Sequence, residues 1–251
     1  MSVLELPHHL SASSITTYQQ CPLRFRFSRI DKIPEPTTEP MILGTFVHEI
    51  LENFYKLPPE ERTIPEARRI SRELWENEYE AKTSEIRITD SNDFRWRAWW
   101  CVENIFSMED PPSVEIKGIE DSFSAEINDV PLVGFIDRWT KEDGKIVVSD
   151  YKTGKVASQR YDGEKIFQIV LYAEMIERLK DIPVDYAEIL YIRFQQRKRY
   201  EPTSERREVV LKLIDQTWEG VQAGCQTGLF PTSTGPLCNW CAYKPICPAW
   251  S

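Results

Sequence analysis

The sequence predicts an α/β fold, because a strand hairpin and several amphipathic helices alternate along one chain of 251 residues. The apolar runs 133–140 and 145–152 are separated by four residues that end in Asp143 and Gly144, a pair that favours a tight hairpin turn. Segment 43–55 instead carries apolar residues near i, i+4 and i+8, which is typical of an amphipathic helix. A chain of this length can bury a sizeable core in one large domain or in two small ones.

Composition and charge narrow the class of protein. Apolar residues make up 41% of the chain and charged residues 28%, proportions that are ordinary for a globular protein in water. The net charge of -9 argues against a generic nucleic-acid coat protein, which would be basic overall. A local basic groove and an acidic metal centre are both compatible with it.

The N-terminal residues lack the basic start and the apolar core of a secretory signal, and no apolar stretch is long enough to span a membrane. We therefore expect a cytoplasmic protein, either bacterial or phage-encoded and acting in the host cytoplasm. In that reducing compartment, the six cysteines are more often thiols or metal ligands than disulfides.

The first predicted helix covers residues 11–20. Serines at its start can cap it, and Cys21 followed by proline ends it. Residues 23–30 then alternate basic and apolar side chains, so Arg24 and Arg26 would lie either on a face that contacts phosphates or on a solvated basic face. The proline-rich run 33–40 is expected to form a loop.

The helix predicted over residues 43–55 carries His48 between its buried and exposed faces. A single histidine in such a position is often structural, but imidazole is also a common metal ligand beside carboxylates. Two further helices are predicted over 65–82 and 93–108, and residues of about 60–110 would form an inserted helical sub-lobe. The second helix is rich in tryptophan, and its aromatic side chains are interpreted as core rather than as a stacking surface for bases.

The remaining elements continue the alternation of strands and helices. Strands are predicted over 114–127, 184–194 and 206–213, and helices over 163–176 and 214–227. The helix over 163–176 places Gln168 and Tyr172 one turn apart on the same side. The polar run 195–199 is expected to be an exposed basic tip that contacts a nucleic-acid backbone, whereas residues 228–251 show no periodicity.

Two carboxylates and an ammonium group are predicted to meet at the end of the central hairpin. Side chains alternate between the two faces of a strand, so Asp150 and Lys152 point to one side and Tyr151 to the other. Asp137 can join them from the neighbouring strand. Burying these charges is unfavourable unless they are paired, and a divalent metal ion would compensate them. Alternatively, Asp137 pairs with Arg138 and the other two side chains are solvated.

The cysteines near the C-terminus have the spacing of a metal site. Cys238 and Cys241 form a C-x-x-C pair, and Cys247 follows after a gap of five residues, so three thiolates can share one centre. Cys21 is the candidate fourth ligand and would link the two ends of the chain. Zinc held by four cysteines and an iron–sulfur cluster both fit this count, while the two solitary cysteines are expected to be buried thiols.

Together, these motifs resemble the nuclease domain of the RecB/AddB type in the PD-(D/E)XK superfamily, and in particular its iron–sulfur-containing exonuclease branch. The resemblance covers nearly the whole chain. It rests on the opening segment 11–22, the histidine motif 44–49, the aspartate motif 134–138, the D-x-K motif 150–155, the Q-x-x-x-Y pattern of Gln168 and Tyr172, and the terminal cysteines. Phe135 and Thr140 depart from the family pattern, which often has arginine and an acidic residue there, and they bear on substrate preference.

The resemblance implies a fold and two cofactors. The fold is a single nuclease domain over residues 1–251, in which a central mixed sheet is flanked by helices, and a cluster joins residues 228–251 to the N-terminal part. That cluster would be [4Fe-4S], held by Cys21, Cys238, Cys241 and Cys247. The second cofactor would be Mg2+ or Mn2+, held by His48, Asp137, Asp150, the Tyr151 carbonyl and Glu120, with Glu115 as an alternative to Glu120.

The resemblance also implies roles and partners. Lys152 would position or help to deprotonate the attacking water, and Gln168 and Tyr172 would orient the DNA backbone or Lys152. The activity implied is metal-dependent hydrolysis from the ends of single-stranded or double-stranded DNA, for recombination, repair or phage DNA processing. DNA contacts are expected from basic side chains: Arg24, Arg26, Arg138, Arg197, Lys198 and Arg199.

Two alternatives to a free-standing exonuclease stay open. The first is a nuclease that trims CRISPR pre-spacers together with partner proteins. The second is a non-catalytic DNA-binding or assembly subunit with a structural cluster. The chain carries no Walker A glycine loop, so a helicase would have to be supplied in trans.

Overall fold

The computed structural model describes residues 4–86, 88–156 and 162–250. The chain is divided into two compact units. Unit 1 combines Met1–Pro36, Phe123–Gly134 and Thr203–Ser251, and unit 2 combines Thr37–Ser122 and Phe135–Pro202.

A five-stranded sheet confirms the predicted α/β class. Its strands are β1 (Glu115–Ile127), β2 (Val130–Glu142), β3 (Lys145–Lys152), β4 (Tyr186–Tyr191) and β5 (Gln196–Tyr200), and they lie in sequence order across the sheet. Strand β3 is antiparallel to β2 and parallel to β4, while β5 is antiparallel to β4. The sheet is therefore mixed, as the resemblance implied.

The central hairpin has the turn that its sequence predicts. Asp143 and Gly144 both have positive φ angles, of 47° and 83°, which is the backbone geometry of a tight two-residue turn between twisted strands. The register between β2 and β3 extends from Glu142 opposite Lys145 to Arg138 opposite Ser149. This register brings Asp137 beside the end of β3.

Eight α-helices are assigned in the described residues. They are α1 (Ala12–Gln20), α2 (Pro22–Phe25), α3 (Glu39–Tyr55), α4 (Ile64–Leu74), α5 (Glu80–Glu85), α6 (Ser91–Met108), α7 (Gly163–Lys180) and α8 (Ser204–Thr227). A π-helical segment, Trp75–Tyr79, joins α4 to α5. Helix α3 begins inside the predicted proline-rich loop, because Pro40 occupies its first turn, where a missing amide N–H costs nothing.

The core of unit 2 lies between helices α3, α4 and α6 and the inner face of the sheet. Phe46 of α3 packs against the rings of Trp75, Tyr79 and Phe94, with ring centroids 4.4 to 6.1 Å apart. The helices of the predicted sub-lobe thus share one apolar core with the helix that carries His48. Packing of this kind fixes α3 relative to the strands.

In unit 1, helix α1 packs against helix α8. The predicted serine cap is confirmed, since Ser11 and Ser14 form a capping box at the start of α1. Gln19 Nε2 donates a 2.8 Å hydrogen bond to Thr217 Oγ1. A Cβ at Gly220 would lie 2.2 Å from the Tyr18 hydroxyl, so glycine permits this close approach.

Two predicted elements are wrong. Residues 206–213 are not a strand but the first half of α8, whose N-cap Thr203 accepts a hydrogen bond from the Arg206 amide. The β-branched pair Val209 and Val210 favoured a strand, but the cap and the continuous helical pattern determine the outcome. Residues 195–199 are largely exposed, as predicted, but they do not form a loop tip, because Gln195 turns the chain with a φ of 50° and the edge strand β5 follows.

Candidate metal centre

The central hairpin and two helices of unit 2 bring the predicted site residues together. Three strands and two helices supply these side chains. They are Glu120 on β1, Asp137 on β2, Asp150 and Lys152 on β3, His48 on α3, and Gln168 and Tyr172 on α7. Asp137 and Asp150 are 7% and 2% exposed. Such burial is unusual for two neighbouring carboxylates and has to be compensated by cations or hydrogen bonds.

Three of these residues form a cluster of possible metal ligands. One donor atom each from His48, Glu120 and Asp137 lie within 4.8 Å of one another. His48 Nδ1 is 3.3 Å from Asp137 Oδ1 and 3.8 Å from Glu120 Oε1. Glu120 reaches the cluster from a bent strand, since its φ angle is 45°. The alternative carboxylate, Glu115, pairs with Lys117 instead.

The Tyr151 backbone orients two members of this cluster. Its amide donates a 2.6 Å hydrogen bond to Asp137 Oδ2, which leaves the other oxygen of that carboxylate facing His48. Its carbonyl oxygen lies 3.1 Å from His48 Nε2. Because a carbonyl can only accept, Nε2 carries a proton, so Nδ1 faces the carboxylates. There it donates to Asp137 when the ring is doubly protonated and offers its lone pair to a cation when the ring is neutral. Metal-ligating histidines commonly have this arrangement.

A second set of hydrogen bonds surrounds Asp150. Lys152 Nζ lies 2.6 Å from Asp150 Oδ2, which confirms that these side chains share one face of β3. Gln168 Nε2 donates to Asp150 Oδ1 at 3.1 Å and is 3.0 Å from the Tyr172 hydroxyl. Gln168 Oε1 accepts from Lys152 Nζ at 3.5 Å. The predicted one-turn spacing of Gln168 and Tyr172 on α7 thus places the amide against Asp150.

The electrostatics of the site indicate an excess of negative charge. Burial raises the pKa of Asp150 to about 6, although the Lys152 ammonium opposes the shift. Burial also raises the pKa of Glu120. Burial lowers the pKa of His48, but the Asp137 carboxylate outweighs it and brings that pKa to about 10. Each shift reports carboxylates that attract a proton or another cation.

The donor set fits a divalent cation. Carboxylate oxygens are the ligands preferred by Mg2+, and a neutral imidazole beside them also suits Mn2+. The orientation of His48 by a backbone carbonyl and the uncompensated carboxylate charge both agree with such an ion. The Tyr151 carbonyl, the predicted backbone ligand, contacts His48 in this structure.

The four predicted cluster cysteines lie around one cavity in unit 1, but in the described residues no three of their sulfur atoms come within 4.8 Å of one another. Cys21, Cys238, Cys241 and Cys247 all line one cavity of about 190 Å³, and all are partly exposed. The other two cysteines are buried thiols, as predicted. The C-x-x-C segment lies in a 3₁₀ turn, Pro236–Trp240, that ends at Cys241.

The predicted DNA-contacting residues differ in exposure. The prediction for Arg138 is wrong in this structure, because its side chain is completely buried and pairs with Glu109 at 2.5 and 2.8 Å. The others are partly exposed and already contact acidic side chains: Arg24 with Glu35, Arg26 with Asp31, Arg197 with Glu109, Lys198 with Asp162 and Arg199 with Glu188.

Sequence analysis did not identify Glu109, which anchors the strand behind the site. Its carboxylate accepts hydrogen bonds from Arg138, Arg197 and the Tyr55 hydroxyl. The available signal was strand alternation, since an Asp137 that faces the metal centre requires Arg138 to face the opposite side. The partner Glu109, which caps the C-terminal end of α6, was not predictable, because it lies 29 positions away in sequence.

None of the helices in residues 4–86, 88–156 and 162–250 combines the length and apolar character required to cross a membrane. This result concerns helices alone.

Residues 9–248 match the PD-(D/E)XK nuclease superfamily. The chain is 24% identical to the Gene 69 protein of Mycobacterium phage D29, with each chain covered in full. It is 21% identical to the Gene 69 protein of Mycobacterium phage L5, with 96% of each chain covered. A crystal structure of a candidate exonuclease from Eubacterium rectale shares the fold, with a TM-score of 0.55 at 10% identity, over 94% of this chain and 87% of that one. Since the family match spans nearly the whole chain and contains the carboxylate–lysine centre, the protein belongs to the PD-(D/E)XK nuclease superfamily.

Proposed function

We propose that the protein is a metal-dependent exonuclease that hydrolyses phosphodiester bonds from DNA ends with Mg2+ or Mn2+. The observation that carries the proposal is the convergence of His48, Glu120 and Asp137 beside the Asp150–Lys152 pair. Membership of a nuclease superfamily makes DNA the expected substrate. The likeness in fold to a candidate exonuclease supports attack from ends.

The proposed metal ligands are His48, Glu120, Asp137 and Asp150, with the Tyr151 carbonyl as a further oxygen donor. A divalent ion bound there would neutralise phosphate charge and make water more acidic. The side chains determine how well such an ion is held. Tyr151 fixes Asp137 and His48 through its amide and carbonyl groups, so the site requires little rearrangement on binding.

Lys152, Gln168 and Tyr172 would act on the substrate side of the site. In hydrolysis, the water oxygen bonds to phosphorus and gives up one proton, the bond to the leaving oxygen breaks, and that oxygen takes up a proton. Although burial opposes it, the Asp150 carboxylate raises the pKa of Lys152, so the amine stays protonated and its N–H groups can donate hydrogen bonds that stabilise charge on the phosphate oxygens. Gln168 would orient Asp150 and Lys152, and Tyr172 would orient Gln168.

Cleavage of end-labelled DNA tests the proposal. Anaerobically purified protein is incubated with linear single-stranded and double-stranded DNA and with closed circular DNA, in Mg2+ or Mn2+. We expect linear DNA to shorten from an end and circles to survive. Asp150→Ala and Lys152→Ala should abolish cleavage, whereas Lys141→Ala, which replaces an exposed lysine of the same hairpin, should leave it unchanged.

Two results would contradict the exonuclease proposal. Cutting of circular DNA would indicate an endonuclease. Binding of DNA without cleavage in any metal would favour a non-catalytic DNA-binding or assembly subunit.

We further propose that Cys21, Cys238, Cys241 and Cys247 hold a [4Fe-4S] cluster, as in the iron–sulfur branch of RecB/AddB-like nucleases. Their position around one cavity supports a shared centre. A cluster would tie the irregular C-terminal residues to the helix that begins after Cys21. The visible absorption of anaerobically purified protein and the EPR spectrum of its reduced form test this. Cys238→Ser should abolish both signals, and Cys225→Ser should preserve them; zinc with no visible absorption would contradict the cluster.

Two phage relatives support a proposal for the biological setting. Similarity over full length to two phage proteins supports a role in phage DNA processing or recombination in a host cytoplasm. Unwinding of duplex DNA would be supplied by a helicase in trans. Co-purification from infected cells tests that partnership, and recovery of the nuclease alone, with full activity on duplex ends, would argue against it.

A further inference from the structure

A basic aromatic groove lies between helices α4 and α6 of unit 2. Arg68 and Arg72 of α4, Arg95, Trp96 and Trp99 of α6, and Phe46 of α3 line it, and its volume is about 370 Å³. On each helix these residues follow the three- and four-residue spacing that forms one face. Neither the hairpin nor α7, which supply most of the metal centre, contributes to the lining.

Trp96 departs from the core role predicted for the aromatic residues of α6. Its side chain is 70% exposed, whereas Trp99 one turn later is 9% exposed. The exposed Trp96 ring therefore adds little to the stability of the core, and it presents a flat π surface beside the groove. Such surfaces stack bases of any sequence.

The arginines of the groove are arranged to receive an anion. The guanidinium of Arg68 lies 4.9 Å from the Trp99 ring centroid, and that of Arg95 lies 5.2 Å from the Trp75 ring centroid. Stacking occupies the face of a guanidinium and leaves the N–H groups at its edge available. These planar donors match the geometry of phosphate oxygens.

Charge in the groove opposes the charge of the whole protein. The chain carries a net charge of -9, yet the groove lining contains three arginines and no carboxylate. Glu103 on α6 lies 3.5 Å from Arg68, and both side chains are about half exposed. An exposed pair of this kind is weak and is readily exchanged for a phosphate.

We propose that this groove binds single-stranded DNA outside the metal centre, with a base stacked on Trp96 and backbone phosphates held by Arg72 and Arg95. An unpaired base is required, because a base within a duplex cannot present its face to a side chain. The choice of DNA rests on the proposed function, whereas the groove itself does not depend on catalysis. Phe46, which forms the floor of the groove, and His48 are two residues apart on α3 and point to nearly opposite sides, so the groove and the metal centre lie on different faces of this helix.

Equilibrium binding in the presence of EDTA tests the groove without cleavage. The probe is a fluorescein-labelled oligothymidylate, and binding is followed by fluorescence anisotropy at several salt concentrations. Trp96→Ala should weaken binding by about 5-fold to 100-fold, the usual effect of losing one base stack. Arg72→Gln combined with Arg95→Gln should lower the slope of log affinity against log salt by roughly 1.4, as expected for two phosphate contacts on a single strand.

Matched controls come from the same helices. Trp100→Ala removes an exposed ring of α6 that does not line the groove, and Arg69→Gln removes an exposed arginine of α4 that pairs with Glu66 and Glu73. Both should bind as the wild type does. Equal losses for Trp96→Ala and Trp100→Ala would overturn the assignment of the groove.

A hairpin duplex of the same length provides the second arm. If Trp96→Ala weakens the duplex as much as the single strand, the groove does not read unpaired bases and the proposal fails. Circular dichroism checks that each variant is folded. We expect Trp96→Ala to fold, because the Trp96 side chain is mostly exposed. A groove variant that binds poorly but still cleaves would leave the proposed nuclease intact, and a wild type that binds in EDTA but never cleaves would leave the groove intact.

Discussion

Gln168 Nε2 donates a 3.1 Å hydrogen bond to Asp150 Oδ1, while Lys152 approaches the other oxygen of the same carboxylate. Asp150 is thereby held from both sides. Gln168→Ala should lower kcat by about 10-fold to 100-fold, the usual effect of removing a group that orients a metal ligand. Steady-state cleavage at saturating Mn2+ measures it.

Tyr172→Phe is the matched variant for Gln168→Ala. It removes the hydroxyl 3.0 Å from Gln168 Nε2 but keeps the bond to Asp150, so its loss of kcat should be smaller. An unchanged kcat in Gln168→Ala, or a larger loss in Tyr172→Phe, would show that Gln168 does not orient Asp150.

The buried pair of Glu109 and Arg138 should contribute strongly to stability. Removing one partner of a buried pair leaves the other charge uncompensated, so Glu109→Gln should lower the free energy of unfolding by about 3 to 5 kcal/mol at neutral pH. Urea denaturation measures this change. Glu115→Gln, at an exposed carboxylate that pairs with Lys117, should cause no measurable loss.

The same pair predicts a dependence of stability on pH. Burial alone would raise the pKa of Glu109, but the Arg138 charge outweighs it and the pKa is lowered. A carboxyl group whose pKa is lower in the folded state stabilises the protein fully above its ordinary pKa of about 4.3, and this contribution is lost as the pH falls through the folded value. Wild-type stability should therefore decline in acid more steeply than that of Glu109→Gln; parallel curves would contradict the assignment.

Gly144 should be required by the hairpin turn. Its φ of 83° is strained for any residue with a Cβ, so Gly144→Ala should destabilise the protein by about 1 kcal/mol. Gly163→Ala is the control, because a Cβ there meets no atom within 4 Å and no positive φ is involved. Thermal unfolding of both variants measures the difference, and equal melting temperatures would contradict the turn geometry.

Replacing Arg199 should affect the stability of the protein more than its affinity for DNA. Its guanidinium donates to Glu188, which is fully buried on β4, at 2.8 and 3.0 Å. Arg199→Gln should cost about 2 kcal/mol of unfolding free energy through the loss of charged hydrogen bonds, while Lys212→Gln, at an exposed position of α8, should be neutral. Chemical denaturation measures both. A variant of unchanged stability with selectively weaker DNA affinity would instead support the DNA contact expected from the sequence.

Local patterns predicted the centre because its geometry is set by local rules. The Asp143–Gly144 turn fixes the register of β2 and β3, strand alternation puts Asp150 and Lys152 on one face, and helical spacing aligns Gln168 with its neighbour.

The errors in prediction arose where distant partners or weak turn signals decide the outcome. Arg138 was expected to contact DNA, but its guanidinium is buried and pairs with Glu109 at the end of α6. Gln195 turns the chain with a positive φ that its residue type does not indicate. In α8, the contribution of the Thr203 cap outweighed the strand preference of two adjacent valines.

Helix α3 carries His48, a proposed cation ligand, on one side and, two residues earlier, Phe46 of the proposed groove on the other. A rigid rod with a binding site on each side obeys thermodynamic linkage, in which any coupling between the two sites is reciprocal. By whatever factor an occupied groove alters affinity for the cation, the cation must alter affinity for the strand by the same factor. Wherever that factor differs from one, DNA strands that fill the groove would be distinguished from shorter ones by how much metal they require.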